Sequence, residues 1–400
     1  MTTSSSTLRV GYAGDLYPER RNIRDRVPSA EYRLVRDGYV WLRRLARLPL
    51  VDRWLADSLR DSRFKFQEPG KAGVDLFHLF NQIRMGRSPW ILTFETFVPR
   101  FLERLGALGW DPARYGRDPT LQDAVDLLAE PSCHRLLALS GAAARLQERF
   151  LEPFGDRART ILAKTEVLHP PQRPRPERAQ ARPPGSDPHR LHFGLVGHDF
   201  FRKGGWEVVE ALTGLRDRTD RAIELTVVSR VDPDRYATGT TDEDADRARR
   251  LLREHRDWIH HHPNLPHERV LEVMAEVDVG LLPSYGETYG YVVLEFQSAG
   301  RPVVTTDIRA FPEINTPETG WLVPLGGSDE EAFGDALQAT HRSRARERLL
   351  AGLETVFTEI LDDPGVLARK GEAALARIRR DHDPEAHARR LETLYREAAP

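Results

Sequence analysis

The sequence contains one cysteine, Cys133, in 400 residues. A single cysteine excludes an internal disulfide and a metal cluster held by several cysteines. The chain also lacks any apolar run approaching about eighteen residues, and its first residues lack the apolar core of a signal peptide. Its formal net charge of -2 offers no bulk attraction to nucleic acid. We therefore expect a soluble, cytoplasmic protein that has no nucleic-acid partner.

Short apolar runs alternate with helix-like segments along the chain, which is the pattern of buried parallel strands in an α/β protein. Residues 170–190, in contrast, are rich in proline and arginine and nearly free of apolar side chains, so they cannot form a core element. The strand-like runs cover residues 8–14, 74–80, 89–95 and 134–140, and then 191–197, 223–229, 258–263, 277–283 and 302–306. A charged helix is expected over about residues 30–60.

These patterns predict two Rossmann-like domains with a cleft between them. We place the first domain at residues 1–175 and a linker at 176–190. The second domain follows at 191–380. A last amphipathic helix occupies 381–400 and can pack on either domain.

The first candidate binding element is the loop that follows the strand at 191–197. In this loop, Arg202 and Lys203 provide cations and are followed by two glycines that open a helix. The backbone N–H groups and the dipole at a helix start favour an anion. The combination suits a diphosphate. The alternative is a solvated turn with incidental charges.

The second candidate element is a pair of carboxylates eight positions apart, Glu287 and Glu295. Glu295 falls inside an apolar helix, where an unpaired carboxylate is costly, so we expect it to accept hydrogen bonds, with ribose hydroxyls as natural donors. Glu287 precedes that helix and can reach sugar hydroxyls. The backbone amides around Tyr289, Gly290 and Tyr291 open the helix and would face a phosphate. The alternative is a helix-capping Glu287 and a Glu295 paired with an arginine.

Taken in order, these segments resemble the retaining, nucleotide-sugar-dependent glycosyltransferases of the GT-B fold, in the large family numbered four with its E-x7-E signature. The acidic segment PSYGETYGYVVLE and the loop GHDFFRKGG resemble the signature and phosphate loop of that family. VDLFHLFN and PWILTFETFVPR resemble its N-terminal half. The resemblance spans nearly the whole chain.

The resemblance implies roles for individual residues. Arg202 and Lys203, in the loop that begins at Gly197, would neutralise the donor diphosphate, and Glu295 would bind the nucleotide ribose. Glu287 would contact the transferred sugar, with amides near Tyr289, Gly290 and Tyr291 completing the donor site. Gly14, on the first turn of the first domain, would come close to the diphosphate and acceptor. The last helix would pack back on the first domain.

Two positions depart from the family pattern. His198 stands where the family often has an arginine at the start of its phosphate loop. Glu95 stands where a histidine commonly contacts the donor sugar. The second departure leaves open the sugar specificity and any catalytic role at Glu95.

Other candidate sites have simpler explanations. Adjacent histidines His260, His261 and His262 point to alternate faces of a strand, so they cannot share one metal, and we predict no metal site. Residues 32–59 mix arginine with tryptophan and leucine. They could form a basic amphipathic helix in peripheral contact with a membrane, although such a helix is more often the outer layer of a domain.

The sequence therefore predicts transfer of a sugar from a nucleoside diphosphate sugar to an acceptor hydroxyl, with retention. We expect Glu287, Lys203 and Arg202 to be the catalytic residues, without metal or cofactor. The acceptor would be a sugar, a natural product or a lipid-linked molecule. The alternatives are a nucleotide-sugar epimerase of the same fold and a non-catalytic nucleotide-sugar-binding protein. A phosphorylase would need a pyridoxal phosphate lysine, for which no suitable lysine is evident.

Overall fold

The computed structural model describes residues 7–40, 61–68, 70, 72–175, 189–235, 237–326, 339–363 and 365–399. The chain divides into two compact units. Met1–Pro171 and His382–Pro400 form the first unit, and Gln172–Asp381 forms the second.

The first unit is built on a six-stranded parallel sheet in the order β2-β1-β4-β6-β7-β8. Every residue of β4 and β6 is buried, as expected for central strands of a parallel sheet covered on both faces. β3 and β5 pair separately. Among the described residues, the strands are β1 (Leu8–Tyr12), β2 (Ala30–Leu34), β3 (Lys65–Phe66), β4 (Leu76–Phe80), β5 (Ile83–Arg84), β6 (Trp90–Phe94), β7 (Cys133–Ala138) and β8 (Thr165–Val167).

Helices and short 3-10 turns connect these strands. The described helices before the linker are α1 (Tyr17–Asn22), α2 (Leu102–Ala107), α3 (Pro112–Tyr115), α4 (Pro119–Ala129), α5 (Gly141–Leu151) and α6 (Asp156–Ala163), with 3-10 turns at Ser62–Phe64 and Glu152–Phe154. Asp118 and Ser140 cap α4 and α5 by accepting backbone N–H groups.

The second unit has its own six-stranded parallel sheet, in the order β11-β10-β9-β12-β13-β14. This is the 3-2-1-4-5-6 order of a Rossmann fold, whose strand order reverses between β9 and β12. The strands are β9 (Arg190–Asp199), β10 (Ala222–Arg230), β11 (Ile259–His262), β12 (Val279–Leu282), β13 (Val303–Thr306) and β14 (Gly320–Val323). The described helices are α7 (Gly205–Arg216), α8 (Asp242–Glu254), α9 (His267–Glu276), α10 (Tyr291–Ser298), α11 (Phe311–Ile314), α12 (Ala339–Asp362), α13 (Gly365–Asp381) and, in the first unit, α14 (Pro384–Ala398).

The charged helix expected over residues 30–60 is wrong in its first part, because Ala30–Leu34 forms β2. Its residues pair in parallel with β1, from Leu8 with Ala30 to Tyr12 with Leu34. Tertiary pairing therefore outweighs the local charge pattern. Residues 41–60 lie outside the described residues, and with them most of the stretch for which membrane contact was considered.

The division between the units falls after Pro171, four residues before the boundary drawn from the sequence. Arg175 already belongs to the second unit, where its backbone N–H donates to Ser298 O at 2.8 Å. Of the linker placed at 176–190, residues 176–188 are outside the described part of the chain, and Arg190 is the first residue of β9.

The last helix, α14, is part of the hydrophobic core of the first unit. Its buried Leu391, Leu394 and Tyr395 share a core cluster with β1, β4 and β6 residues. The Tyr395 hydroxyl forms a 2.7 Å hydrogen bond with His78 Nδ1, and His78 Nε2 forms another of 2.7 Å with Thr93 Oγ1. Burial lowers the pKa of His78 to about 3. The neutral, buried imidazole of His78 thus connects α14 to the sheet through hydrogen bonds.

A second buried histidine makes the stability of this unit depend on pH. Burial lowers the pKa of His387, on α14, to about 3, with Arg26 and His382 acting in the same direction. A histidine in the unfolded chain has a pKa of about 6.5. Below that pH, the unfolded chain therefore binds a proton that the folded unit does not bind. Stability contributed by the neutral ring is therefore complete above about pH 6.5 and declines as the pH falls toward about 3.

We predict that His387→Gln flattens this decline, since glutamine takes up no proton on unfolding. The free energy of unfolding should fall less steeply between pH 6 and 5, by up to about 1.4 kcal/mol per pH unit compared with the unsubstituted chain. Chemical denaturation at several pH values measures both slopes, and His134→Gln, on β7, provides the control for a partly buried histidine. Parallel pH dependences for His387→Gln and the unsubstituted chain would refute the prediction.

Candidate functional site

The candidate site of the second unit lies where two loops leave adjacent strands at the reversal of strand order. β9 and β12 pair directly, with Phe193 opposite Val279 and Leu195 opposite Leu281. The loop after β9 carries Arg202 and Lys203, and the loop after β12 carries Glu287. Ligands of open α/β sheets bind in the crevice at such a switch point.

The loop after β9 is closed by its own backbone. The N–H groups of Lys203, Gly204 and Gly205 donate to Asp199 O, Phe201 O and Phe200 O at 2.9, 3.0 and 2.9 Å. The sequence-based expectation that these amides are open to an anion is therefore wrong, because the tight turn that leads into α7 uses them. The cationic side chains remain as the groups that this loop can present.

Two glycines allow the loops to approach each other. Gly204 has φ 71°, and a Cβ there would lie 2.5 Å from Pro283 O in the second loop. A Cβ on Gly197 would lie 3.1 Å from Lys203 Cγ. Gly197 therefore leaves the space in which the aliphatic part of Lys203 crosses the end of β9. The Tyr285 N–H completes the connection by donating to Arg202 O at 2.8 Å.

The centre of the site is an ion pair between the two loops. Lys203 Nζ donates to Glu287 Oε2, and the side chains are only 8% and 15% exposed. The Thr288 N–H donates to Glu287 Oε1 at 3.1 Å. Burial acts to raise the pKa of Glu287, but the charge and hydrogen bond of Lys203 outweigh it, so that pKa lies below its ordinary value. The carboxylate is ionised at neutral pH.

Arg202 is the more accessible cation of the site. Its guanidinium donates to Asp199 Oδ2, and about a third of the side chain (33%) is exposed. The side chain passes over Gly286, whose Cβ position is 3.7 Å from Arg202 Cδ. Arg202 and Lys203 therefore differ: one is held at the rim by Asp199, and the other is buried against Glu287.

The second loop ends in a glycine that starts α10. Gly290 has φ 94°, and a Cβ there would lie 2.5 Å from the Phe311 ring. Tyr289 before it is fully buried, with its ring centroid 5.2 Å from that of Tyr291. Glu295 lies one turn into the helix and is 5% exposed. The structure thus brings Lys203, Arg202 and Glu287 to one edge and places buried Glu295 on the helix that begins there.

In the first unit, Gly14 and Glu95 follow β1 and β6 at the carboxyl edge of the sheet. A side chain on Gly14 would collide with the Glu19 carboxylate. Glu95 Oε1 accepts hydrogen bonds from Arg100 Nη1 at 2.5 Å and from Asn81 Nδ2 at 3.2 Å. Glu95 is therefore oriented and charge-compensated within its own unit.

We did not predict from the sequence the residues that contact Gly14 and Glu95. Glu19, beside Gly14, has its pKa raised chiefly by burial, and no sequence motif marks it. Asn81 ends the quoted VDLFHLFN segment and has φ 55°, a conformation that asparagine tolerates at strand ends. Arg100 lies five residues after Glu95. Their opposite charges were therefore visible in the sequence, but their pairing was not.

Neither a metal cluster nor a membrane span is found in the described part of the chain. No group of three or more His, Cys, Asp or Glu side chains is placed to hold a metal ion among those residues. His261 Nε2 instead forms a 2.9 Å hydrogen bond with Ser229 O. None of the described helices is both long enough and apolar enough to cross a bilayer.

The loop after β9 and the loop after β12 both lie in a segment that matches the model of one protein family. Residues 190–343 match the model of the family "Glycosyl transferases group 1". Over 206 residues, 51% of this chain and 41% of the relative, the chain is 30% identical to a glycogen synthase of Mycobacterium tuberculosis. It is 25% identical to a D-inositol 3-phosphate glycosyltransferase of Arthrobacter sp. (strain FB24) over 81% of this chain and 65% of the relative. The chain thus spans less than two thirds of the length of either relative.

Solved structures with low sequence identity share the fold across nearly the whole chain. A sucrose-phosphate synthase from Thermosynechococcus elongatus matches with a TM-score of 0.56 at 18% identity, covering 98% of both chains. Anabaena Alr3699/HepE, solved in complex with UDP, matches with a TM-score of 0.56 at 12% identity, covering 98% of this chain and 100% of the other. The predicted α/β fold class of two Rossmann-like domains is confirmed. Residues 190–343, which match the model of the family "Glycosyl transferases group 1", include Lys203, Glu287 and Glu295.

Proposed function

We propose that this protein is a glycosyltransferase that moves a sugar from a nucleoside diphosphate sugar to an acceptor hydroxyl, with retention of the anomeric configuration. The observation that carries the proposal is the buried contact between Lys203 and Glu287, at the switch point of a sheet in the segment that matches the group 1 glycosyl transferase model. It joins the cationic loop and the acidic loop, 84 residues apart in sequence, into one site.

Lys203 and Arg202 bind the diphosphate of the donor and stabilise it as it leaves. An ammonium group has three N–H donors, so Lys203 can hold Glu287 and still donate to a phosphate oxygen. Arg202, 33% exposed, adds a guanidinium from the rim. Cations fixed before the reaction stabilise developing charge at little reorganisation cost.

Glu287 and Glu295 bind the two sugars of the donor. Glu287 uses one oxygen for Lys203 and one for the Thr288 N–H, but a carboxylate has about four acceptor positions, which leaves room for hydroxyls of the transferred sugar. Glu295 is 5% exposed on an apolar helix and accepts the ribose hydroxyls. The amides around Tyr289, Gly290 and Tyr291, at the start of α10, face the phosphates. The UDP complex of Alr3699/HepE, which has the same fold, supports a nucleotide ligand.

In this proposal, the acceptor hydroxyl attacks the transferred sugar on the same face that the diphosphate leaves, so the anomeric configuration is retained. Glu287 is engaged by Lys203 and so binds the sugar rather than attacking it. The departing phosphate, held by Arg202 and Lys203, accepts the proton of the acceptor hydroxyl. No metal or other cofactor takes part.

Gly14 and Glu95 belong to the acceptor and sugar side, where Arg100 and Asn81 hold the Glu95 carboxylate. The acceptor class is a sugar, a natural product or a lipid-linked molecule.

The function is tested by first choosing the donor base with a thermal-shift panel of nucleoside diphosphates and their sugars. The best donor is then incubated with an acceptor panel and, separately, without acceptor. A new glycoside whose anomeric configuration matches that of the donor, by proton NMR, supports the proposal. Conversion of donor to an epimer without acceptor, or binding without any transfer or hydrolysis, would contradict it.

We predict that Lys203→Met lowers kcat/KM for the donor by about 100-fold or more, because the leaving diphosphate loses a fixed cation. Lys203→Arg keeps the charge and should retain a larger share of the activity. Circular dichroism checks that both variants fold, since methionine leaves Glu287 buried without its partner. Activity of Lys203→Met within about threefold of the unsubstituted enzyme would exclude this role.

We also predict that Glu295→Ala removes recognition of the ribose. The unsubstituted protein should bind its preferred nucleoside diphosphate about 10- to 100-fold more tightly than the 2′,3′-dideoxy analogue, since hydrogen bonds to a charged acceptor are lost. In Glu295→Ala, calorimetry should give nearly equal affinities for the two ligands. Glu318→Ala, an exposed acid outside the site, serves as the control. If Glu295→Ala still preferred the nucleoside diphosphate over its dideoxy analogue to the same extent, Glu295 would not be the residue that binds the ribose.

A further inference from the structure

A cavity of about 320 Å³ lies in the second unit, and neither Lys203, Glu287 nor Glu295 is among the described residues that line it. Its walls come from the start of α7, the loop between β10 and α8, and the first turns of α8 and α12. The size lies within the range of small-molecule sites, roughly 300–1,000 Å³. The proposed sugar transfer gives this cavity no role.

Positive charge exceeds negative charge in this cavity. Three arginines, Arg247, Arg342 and Arg346, line it together with two acids, Glu207 and Asp244. Both Thr241 N–H and its hydroxyl donate to Asp244 Oδ2, at 2.9 and 2.8 Å, so that carboxylate is occupied in capping α8. Glu207 is 6% exposed, and burial raises its pKa, while the charge of Arg346 acts to lower it.

Arg342 and Arg346 differ in the partners that they have among the described residues. Arg346 lies 3.4 Å from Glu207 Oε1 and also pairs with Glu210. Arg342 packs its guanidinium against Gly239, where a side chain would collide with it. Its Nε is buried and has no hydrogen-bond partner in the described part of the chain. Nε itself is too buried to contact a ligand, but the guanidinium has no acidic partner among the described residues, so its charge favours an anion in the cavity that Arg342 lines.

The remaining wall is aromatic. Trp206 is partly exposed, and its ring lies nearly parallel to that of Phe201, at 6.2 Å and 21°. Buried Tyr285 adds a third ring. A planar apolar group can therefore cover Trp206 while its charged end meets the arginines.

We propose that this cavity is a second anion site, separate from the donor site, which binds a small phosphomonoester with a planar apolar body. A phosphomonoester carries close to two negative charges at neutral pH and can accept bidentate hydrogen bonds from more than one guanidinium. A monovalent carboxylate of the same shape satisfies fewer of these donors and binds more weakly.

Phenyl phosphate is the probe for this site, and calorimetry with the full chain is the measurement. The unsubstituted protein should bind phenyl phosphate more tightly than benzoate, phenol or inorganic phosphate. Arg342→Gln should weaken binding by at least about 10-fold. Arg344→Gln, an exposed arginine two residues further along α12 that does not line the cavity, is the matched control and should bind normally.

Two further variants separate this site from the donor site and test its aromatic wall. Lys203→Met should retain phenyl phosphate binding, and Trp206→Leu should lose the preference for phenyl phosphate over inorganic phosphate while still binding the latter. The proposal fails if the unsubstituted protein does not bind phenyl phosphate. It fails equally if Arg342→Gln binds as well as Arg344→Gln, or if Lys203→Met abolishes binding, which would place the probe at the donor site.

Discussion

The buried ion pair between Lys203 and Glu287 is the contact on which the candidate donor site depends. Removing two charges from water is costly, and a buried pair persists only where further hydrogen bonds and close packing support it. Here the Thr288 N–H satisfies the second oxygen of Glu287, and two glycines make the approach sterically feasible. Gly197 makes room for the stem of Lys203, and Gly204 allows the turn to lie against Pro283 O.

The topology of the sheet explains why these loops meet. Lys203 and Glu287 follow strands that are far apart in sequence but adjacent in the sheet, on either side of the reversal in strand order. Phe201 and Tyr285 lie in the same two loops as Lys203 and Glu287 and line the arginine-lined cavity. The two loops thus contribute both to the candidate donor site and to this cavity.

Much of this architecture was readable from the sequence, because buried parallel strands give short apolar runs that stand out between polar helices. The nine runs predicted as strands correspond to β1, β4, β6, β7, β9, β10, β11, β12 and β13. The short edge strand β2 was missed because its charged residues follow a helix-like pattern and only pairing with β1 and packing near Tyr395 favour a strand.

The site was predicted less completely than the fold. Sequence motifs identified Arg202, Lys203 and Glu287 as neighbours, but not that Lys203 would be buried against Glu287 or that the turn would use its own amides. Both facts depend on the path of the backbone, which residue types alone do not determine. The cation left at the rim, Arg202, and the support of Glu95 by Arg100 likewise emerged only from three-dimensional contacts.

A double-mutant cycle on Lys203→Met and Glu287→Gln, followed by chemical denaturation, tests most directly whether the pair acts as one unit. Each single variant leaves one buried charge without its counter-charge, whereas the double variant leaves no buried charge. We therefore expect the double variant to lose less stability than the sum of the two singles, with a coupling of about 1–3 kcal/mol. Losses that add within about 0.5 kcal/mol would show that the two residues act independently and would contradict a site organised around their contact.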